Sequence, residues 1–154
     1  MITFKNRKFD EQSSFIEFEA ISDIAKSLKG ETETIRAEKS PKARQDLKKN
    51  LLPCIWTAEF SGTFPADDNF VKSKYVMFDI DKLTNVNDIY NMFKETDFVK
   101  YMFISASGKG LKIICELSTE IEDIAEYRKI WEYHQENIEL SFGVSIDKGD
   151  KSPS

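Results

Sequence analysis

Apolar and acidic residues alternate at the end of the run from Tyr75 to Asp81, YVMFDID. Alternation with a period of two is typical of a half-buried β-strand, because successive side chains point to opposite faces of the sheet. Val76, Phe78 and Ile80 then share one face of the strand. Met77, Asp79 and Asp81 share the opposite face. Two carboxylates this close repel each other unless they face water or bind a hard cation such as Mg²⁺ or Mn²⁺. The pattern therefore indicates either a metal site or a strand end that is simply solvated.

Further helical and strand patterns follow this run. The predicted elements are, in order, a helix over 86–93, strands over 98–104 and 111–117, a helix from Thr119 to about Leu140, and a short strand over 144–147. Thr119 and Glu122 have capping-box spacing at the start of the second helix, and Gly143 marks its end. The order β-α-β-β-α-β is that of a ferredoxin-like or RRM-like α+β fold. We expect this unit to span residues 74–154.

Residues 1–73 are predicted to form a mainly helical extension that packs on this unit. A short strand is expected near the start of the chain, followed by a helix that stops at Gly30. Ser40 and Pro41 suit the N-cap and first turn of another helix that runs to about Asn50. The basic residues of this helix are interpreted as a solvated face; they are Lys42, Arg44, Lys48 and Lys49.

Composition narrows the possible functions. The net charge of −5 does not support nucleic-acid binding by bulk charge, so any basic surface must be local. The two cysteines, Cys54 and Cys115, lack the spacing of a zinc site and indicate reduced thiols in a cytoplasmic protein. No signal peptide or membrane-spanning apolar run is evident, so no membrane partner is expected.

The predicted topology brings chemically active residues together. In this fold the last strand lies beside the first, so Asp147 is expected next to Asp79 and Asp81. Three carboxylates beside a turn that contains glycine and lysine suit metal-dependent phosphoryl or nucleotidyl transfer. The carboxylates would hold Mg²⁺ or Mn²⁺, while backbone N–H groups and cations of the turn would hold a triphosphate. The candidate nucleotide-binding residues are Ser105, Ser107, Gly108, Lys109, Gly110 and Lys112.

These motifs resemble those of the archaeo-eukaryotic-type primases, the primase–polymerase superfamily. The segment FDID at 78–81 resembles the DxD motif of that superfamily, and SASGKGLKI at 105–113 resembles its second motif. The pair at 146–147 resembles the third motif, a hydrophobic residue followed by Asp. Leu-Pro at 52–53 and Ser-Gly-x-Phe at 61–64 make the chain most similar to the primase-like N-terminal domain of VirE-type proteins of bacterial mobile elements and phages.

The resemblance implies a nucleotidyltransferase in which Asp79, Asp81 and Asp147 are the catalytic, metal-binding residues. It implies nucleoside triphosphates as substrates, a single-stranded nucleic-acid template, and a role in replicating a mobile element or phage in a bacterial or phage-infected cell. Lys112 stands where many members carry a nucleotide-binding His. The family pattern usually continues into an Arg-containing strand, and often into a helicase-like domain, so the resemblance predicts a C-terminally truncated fragment and a helicase partner. The alternative is a non-catalytic primase-fold module that binds nucleic acid or a replication partner.

Overall fold

Helices and strands are interspersed along the described part of this computed structural model, residues 2–5, 14–17, 19–62 and 65–151. The strands are β1 (Ile2–Lys5), β2 (Ser14–Ile16), β3 (Cys54–Trp56), β4 (Glu59–Phe60), β5 (Phe70–Ile80), β6 (Val99–Ile104) and β7 (Leu111–Ile121). The α-helices are α1 (Ala20–Ser27), α2 (Lys29–Ala37), α3 (Pro41–Leu51), α4 (Val86–Lys94) and α5 (Ile124–Phe142). Short 3₁₀ helices lie at Asp67–Asn69 and Lys148–Lys151. The protein therefore has the predicted α+β class.

The larger sheet has the strand order β4-β5-β7-β6, and its pairs are antiparallel. Helix α4 connects β5 to β6, and β7 lies between these two strands. This arrangement is the split β-α-β of the predicted ferredoxin-like order. It places the acidic end of β5 beside the start of β7 and beside the turn that precedes it.

The predicted final strand differs from the structure, because 144–147 does not have strand conformation. The segment nevertheless lies at the expected edge, since the Asp147 N–H donates a 2.8 Å hydrogen bond to the Asp79 carbonyl. The Ile146 N–H instead donates to the Glu139 carboxylate at 2.8 Å. With that donor directed to α5, a regular ladder with β5 does not form. Burial of Ile146 in the core holds the segment in place.

The main core lies between one face of this sheet and helices α4 and α5. Its central residues are Val76, Phe78, Ile80, Leu111, Ile113, Phe93, Tyr127 and Trp131. The Trp131 indole N–H donates to the Met77 carbonyl at 2.9 Å, which ties α5 to the middle of β5. Phe93 and Phe142 stack with ring centroids 4.2 Å apart and join the two helices. The apolar half of the alternating run is therefore buried as predicted.

The N-terminal extension covers part of the other sheet face. Strands β2, β1 and β3 form a three-stranded sheet in that order. Ile21 of α1 packs on Ile114 of β7, with partly buried side chains from both sheets around them. Within the described residues, the extension thus packs against the larger sheet.

Two predicted helix boundaries were wrong. Gly30 does not stop a helix, because α1 already ends at Ser27 and α2 begins at Lys29. Thr119 does not cap α5, because β7 continues to Ile121 and pairs there with Ser73 of β5. The cap is Asp123, whose side chain accepts from the Glu126 N–H at 2.7 Å.

Ser40 caps α3 and Gly143 ends α5 in a left-handed conformation, as predicted. Residues 63–64, the second half of the Ser-Gly-x-Phe segment, lie outside the described residues. Within the described residues, no helix is long and apolar enough to cross a bilayer.

Candidate functional site at the end of strand β5

An ion pair across two central strands forms the middle of the site. Asp79 of β5 lies directly opposite Lys112 of β7, and the Lys112 ammonium donates to Asp79 Oδ2. The side chains are 17% and 28% exposed for Asp79 and Lys112, so the pair is largely shielded from water. The other carboxylate oxygen, Asp79 Oδ1, is buried and has no hydrogen-bond partner among the described residues. A buried acceptor without a donor is unusual in proteins and indicates a place for a donor or a cation.

Asp81 lies just beyond the last residue of β5 and is exposed. A Cβ atom on Gly110 would stand 2.8 Å from Asp81 Oδ1, 2.9 Å from the Ile80 carbonyl oxygen and 3.0 Å from Ser105 Oγ, so a side chain here would force its neighbours to shift. The chain then turns at Lys82, which has a φ of 58°, and the Leu83 N–H donates to the Lys109 carbonyl at 2.8 Å. The acidic strand end is therefore packed against the turn that precedes β7.

That turn is closed by its own hydrogen bonds. The Ser105 N–H donates to the Gly110 carbonyl and the Gly108 N–H to the Ser105 carbonyl, both at 2.8 Å. The hydroxyls of Ser105 and Ser107 lie 2.9 Å apart, and Gly108 has a φ of 73°. Because these two N–H groups are used within the turn, contacts from it to a phosphate would come from the hydroxyl pair and the Lys109 ammonium.

Asp147 reaches the site through its backbone. Its N–H group binds the Asp79 carbonyl, but its own carboxylate accepts from the Gly149 N–H at 2.9 Å and is exposed. The described residues contain no group of three or more His, Cys, Asp or Glu side chains placed to hold a metal ion. The structure thus places all three predicted aspartates at one edge of the sheet without bringing their carboxylates together.

The donor chemistry of this edge still fits a hard divalent cation. Carboxylate oxygens are the ligands that Mg²⁺ and Mn²⁺ prefer, and Asp79 Oδ1, which no donor in the described part of the chain reaches, is the specific observation in favour. The Lys112 ammonium already supplies one positive charge there. Repulsion between Asp79 and Asp81, expected from the sequence, is therefore offset by a lysine in this structure.

An open cavity of about 760 Å³ adjoins the site. One wall consists of Asp81, the 82–86 loop and the 107–109 turn, and the opposite wall is helix α3. Arg44 and Lys48 of α3 line it, although the sequence had suggested only a solvated face. These two residues are four positions apart and half-buried, and that spacing was the available signal.

The fold and the site define an α+β domain whose central strand ends in two aspartates beside a Ser- and Gly-containing turn. A family model described as BT4734-like, N-terminal domain, matches residues 46–152. The chain belongs to this BT4734-like N-terminal domain family. The match begins within α3 and covers the larger sheet, both core helices and the segment that carries Asp147. Comparisons with curated proteins and with solved structures found no match.

Proposed function

We propose that this chain is a nucleotidyltransferase domain of the primase–polymerase type, which adds nucleotides in a metal-dependent reaction. The observation that carries the proposal is Asp79 Oδ1, which is buried and has no partner among the described residues. The same strand end carries a second carboxylate on Asp81, which packs against a turn that bears hydroxyls and a lysine. Acidic oxygens for a cation beside polar groups for a phosphate are the two parts that phosphoryl-transfer chemistry requires.

Asp79 and Asp81 would hold Mg²⁺ or Mn²⁺, with Asp147 as a further ligand. The bound cation would supply polarisation of the phosphate and activation of an oxygen nucleophile. The incoming nucleoside triphosphate would be bound by the turn and by the start of β7, through the side chains of Ser105, Ser107, Lys109 and Lys112, with Gly108 and Gly110 shaping the turn around it. Lys112 would leave Asp79 and bind phosphate, where its compact ammonium acts as a point charge.

The biological setting follows from the resemblance to the primase-like domain of VirE-type proteins. Such a domain would act on a single-stranded template during replication of a mobile element or phage, in the cytoplasm of a bacterial or phage-infected cell. A helicase-like domain, in the same chain or in a separate protein, would supply the unwound strand.

Isothermal titration calorimetry with Mn²⁺ and a non-hydrolysable nucleoside triphosphate tests the proposal. The parent should bind both ligands, and Asp79→Asn should lose most of the Mn²⁺ affinity. Asp97→Asn is the matched control, because Asp97 is exposed and lies just before the start of β6, away from the turn that β6 leads into. Absence of Mn²⁺ binding in the parent, or equal binding in parent and Asp79→Asn, would remove the metal site.

A second candidate is a non-catalytic primase-fold module that binds nucleic acid or a replication partner. The observation in its favour is that Lys112 already neutralises Asp79 and that the Asp147 carboxylate accepts from its own loop. This candidate predicts oligonucleotide or partner binding that is unchanged by chelation of divalent cations. Primer extension by the parent in the presence of Mn²⁺ would exclude it.

A further inference from the structure

Helix α3 forms a basic wall across the cavity from the acidic strand end. We propose that this wall binds the phosphate backbone of a single-stranded nucleic acid and directs the strand towards Asp79 and Asp81. The inference deepens the proposed function and rests on it for the identity of the strand as a template. It assigns a binding role to residues outside the three motifs that the sequence singles out.

The cavity is lined mainly by positively charged side chains. Four basic residues line the cavity against a single acidic residue, Asp81; they are Arg44, Lys48, Lys82 and Lys109. The chain as a whole has a net charge of −5, so the positive charge of the cavity is opposite in sign to that of the chain. A concave surface of one sign raises the local concentration of the opposite charge, which points to a polyanionic ligand.

Helix α3 presents two of these cations on one face. Arg44 and Lys48 are one helical turn apart, which places them roughly 6 Å apart along the axis on the same face. Both are half-buried against the cavity, whereas Lys42 and Lys49 of the same helix are exposed. The Arg44 guanidinium donates to the Glu38 carbonyl, at 3.0 Å through Nε, so its direction is already set. Arg44 is therefore a prearranged cation on this wall.

The position of this wall is fixed relative to the site. Arg36 of α2 donates through Nε to the Ala106 carbonyl at 3.2 Å, which joins the helical extension to the turn before β7. Helix α3 packs on α2 and is thereby held opposite that turn. Charges on α3 thus face the same space as the Lys109 ammonium.

The spread of the cations around an open cavity favours a strand over a single nucleotide. Two of the four lining cations belong to α3, Arg44 and Lys48, and the other two belong to the loop after β5 and the turn before β7. A triphosphate would engage the turn alone, while a strand that crosses the cavity can also contact α3. A recess of about 760 Å³ has the size of a small-ligand pocket, and a rigid duplex cannot enter it. The ligand inferred is therefore single-stranded.

Fluorescence anisotropy with a labelled oligothymidylate tests the inference on the full chain. The groove variant is Arg44→Gln with Lys48→Gln, and the matched control is Lys42→Gln with Lys49→Gln. Both remove two positive charges from the same helix, but only the first pair lines the cavity. We expect the groove variant to bind roughly tenfold more weakly. The slope of log affinity against log salt should become shallower by roughly 0.7 for each phosphate that the variant no longer neutralises. The control should stay close to the parent.

Because Arg44 also binds the Glu38 carbonyl, thermal unfolding is measured for each variant, and Lys48→Gln alone serves if the double variant does not fold. Equal weakening by groove and control variants, or no weakening by the groove variant, would overturn the inference. Weaker binding of a Mn²⁺–triphosphate complex with unchanged oligothymidylate binding would also overturn it and leave the proposed function standing. Conversely, groove-dependent strand binding in a parent that binds neither Mn²⁺ nor triphosphate would support this inference and reject the proposed chemistry.

Discussion

Replacement of Lys112 by Met separates a structural ion pair from a metal site. In the structure the Lys112 ammonium neutralises Asp79 Oδ2, while Oδ1 is buried and meets no donor from the described residues. A divalent cation at Asp79 must compete with that ammonium. Lys112→Met should therefore destabilise the metal-free protein and at the same time strengthen Mn²⁺ binding. A merely structural pair would produce the first effect without the second.

The exposure of the pair sets the size of these effects. Two unit charges about 4 Å apart attract by roughly 4 kcal/mol at the effective dielectric found near protein surfaces. Exposed pairs contribute about 0–1 kcal/mol, and leaving one partner of a buried pair alone costs about 3–5 kcal/mol. With side chains 17% and 28% exposed, this pair lies between those limits. We expect Lys112→Met to lower the free energy of unfolding by about 1–3 kcal/mol without divalent cations.

Urea unfolding with and without Mn²⁺, together with calorimetric titration, measures both effects. Removal of the competing charge should raise the Mn²⁺ affinity about tenfold, and a Mn²⁺ concentration of about 100 times the dissociation constant should then add about 2.7 kcal/mol of stability. Triphosphate affinity should fall, because the same ammonium is proposed to bind phosphate.

Lys100→Met is the control for this experiment, since Lys100 pairs with Glu116 at 3.1 Å on the same sheet and is more exposed. That variant should change Mn²⁺ affinity little. An unchanged or reduced Mn²⁺ affinity in Lys112→Met would refute the reasoning that the lysine stands in for a metal ion.

Four further predictions concern single residues. Gly110→Ala should lower the free energy of unfolding, measured by urea titration, by about 1–3 kcal/mol, because its Cβ would stand 2.8 Å from the Asp81 carboxylate and 2.9 Å from a backbone carbonyl. Gly108→Ala should lower it by about 1 kcal/mol in the same titration, because Gly108 has a φ of 73° but its Cβ would face more space. Burial raises the pKa of Cys115 to about 12. In a variant that lacks Cys54, the folded protein should react with Ellman's reagent at about pH 8 at least roughly a thousandfold more slowly than the protein in denaturant. Comparable rates would contradict the burial of Cys115. Burial lowers the pKa of His134 below 6.5, so its proton resonances should titrate below that pH. The stability that neutral His134 contributes should be present above pH 6.5 and lost as the pH falls through the lowered pKa. A titration midpoint at or above pH 6.5 would contradict this.

Local patterns determined the elements that depend on nearby residues. The period of two in YVMFDID predicted a strand with Val76, Phe78 and Ile80 on one face, and β5 buries these three residues in the core. Ser40 before Pro41 and Gly143 after a helical run act within one turn of helix, and both mark the boundaries observed. Because these signals depend on interactions between close neighbours in the chain, they can be identified without knowing the fold.

Hydrogen bonds between different elements of the fold decided two features that local patterns predicted wrongly. Thr119 has a capping pattern, but the ladder between β5 and β7 keeps the chain extended to Ile121. The last predicted strand has the right position without the hydrogen bonds of a strand, because its Ile146 N–H binds Glu139 of α5. In both places hydrogen bonds to distant segments replaced the locally favoured structure.

The site shows the same division. The sequence marked the two acidic residues of the strand and the Ser- and Gly-containing turn as chemically active. Only the strand register placed Lys112 directly opposite Asp79, and only the packing of α2 and α3 placed Arg44 and Lys48 across the cavity from Asp81. Charge alone does not specify a partner along the chain, since Coulomb attraction depends on distance in space and on exclusion of water. Which cations meet which anions was therefore decided by the fold.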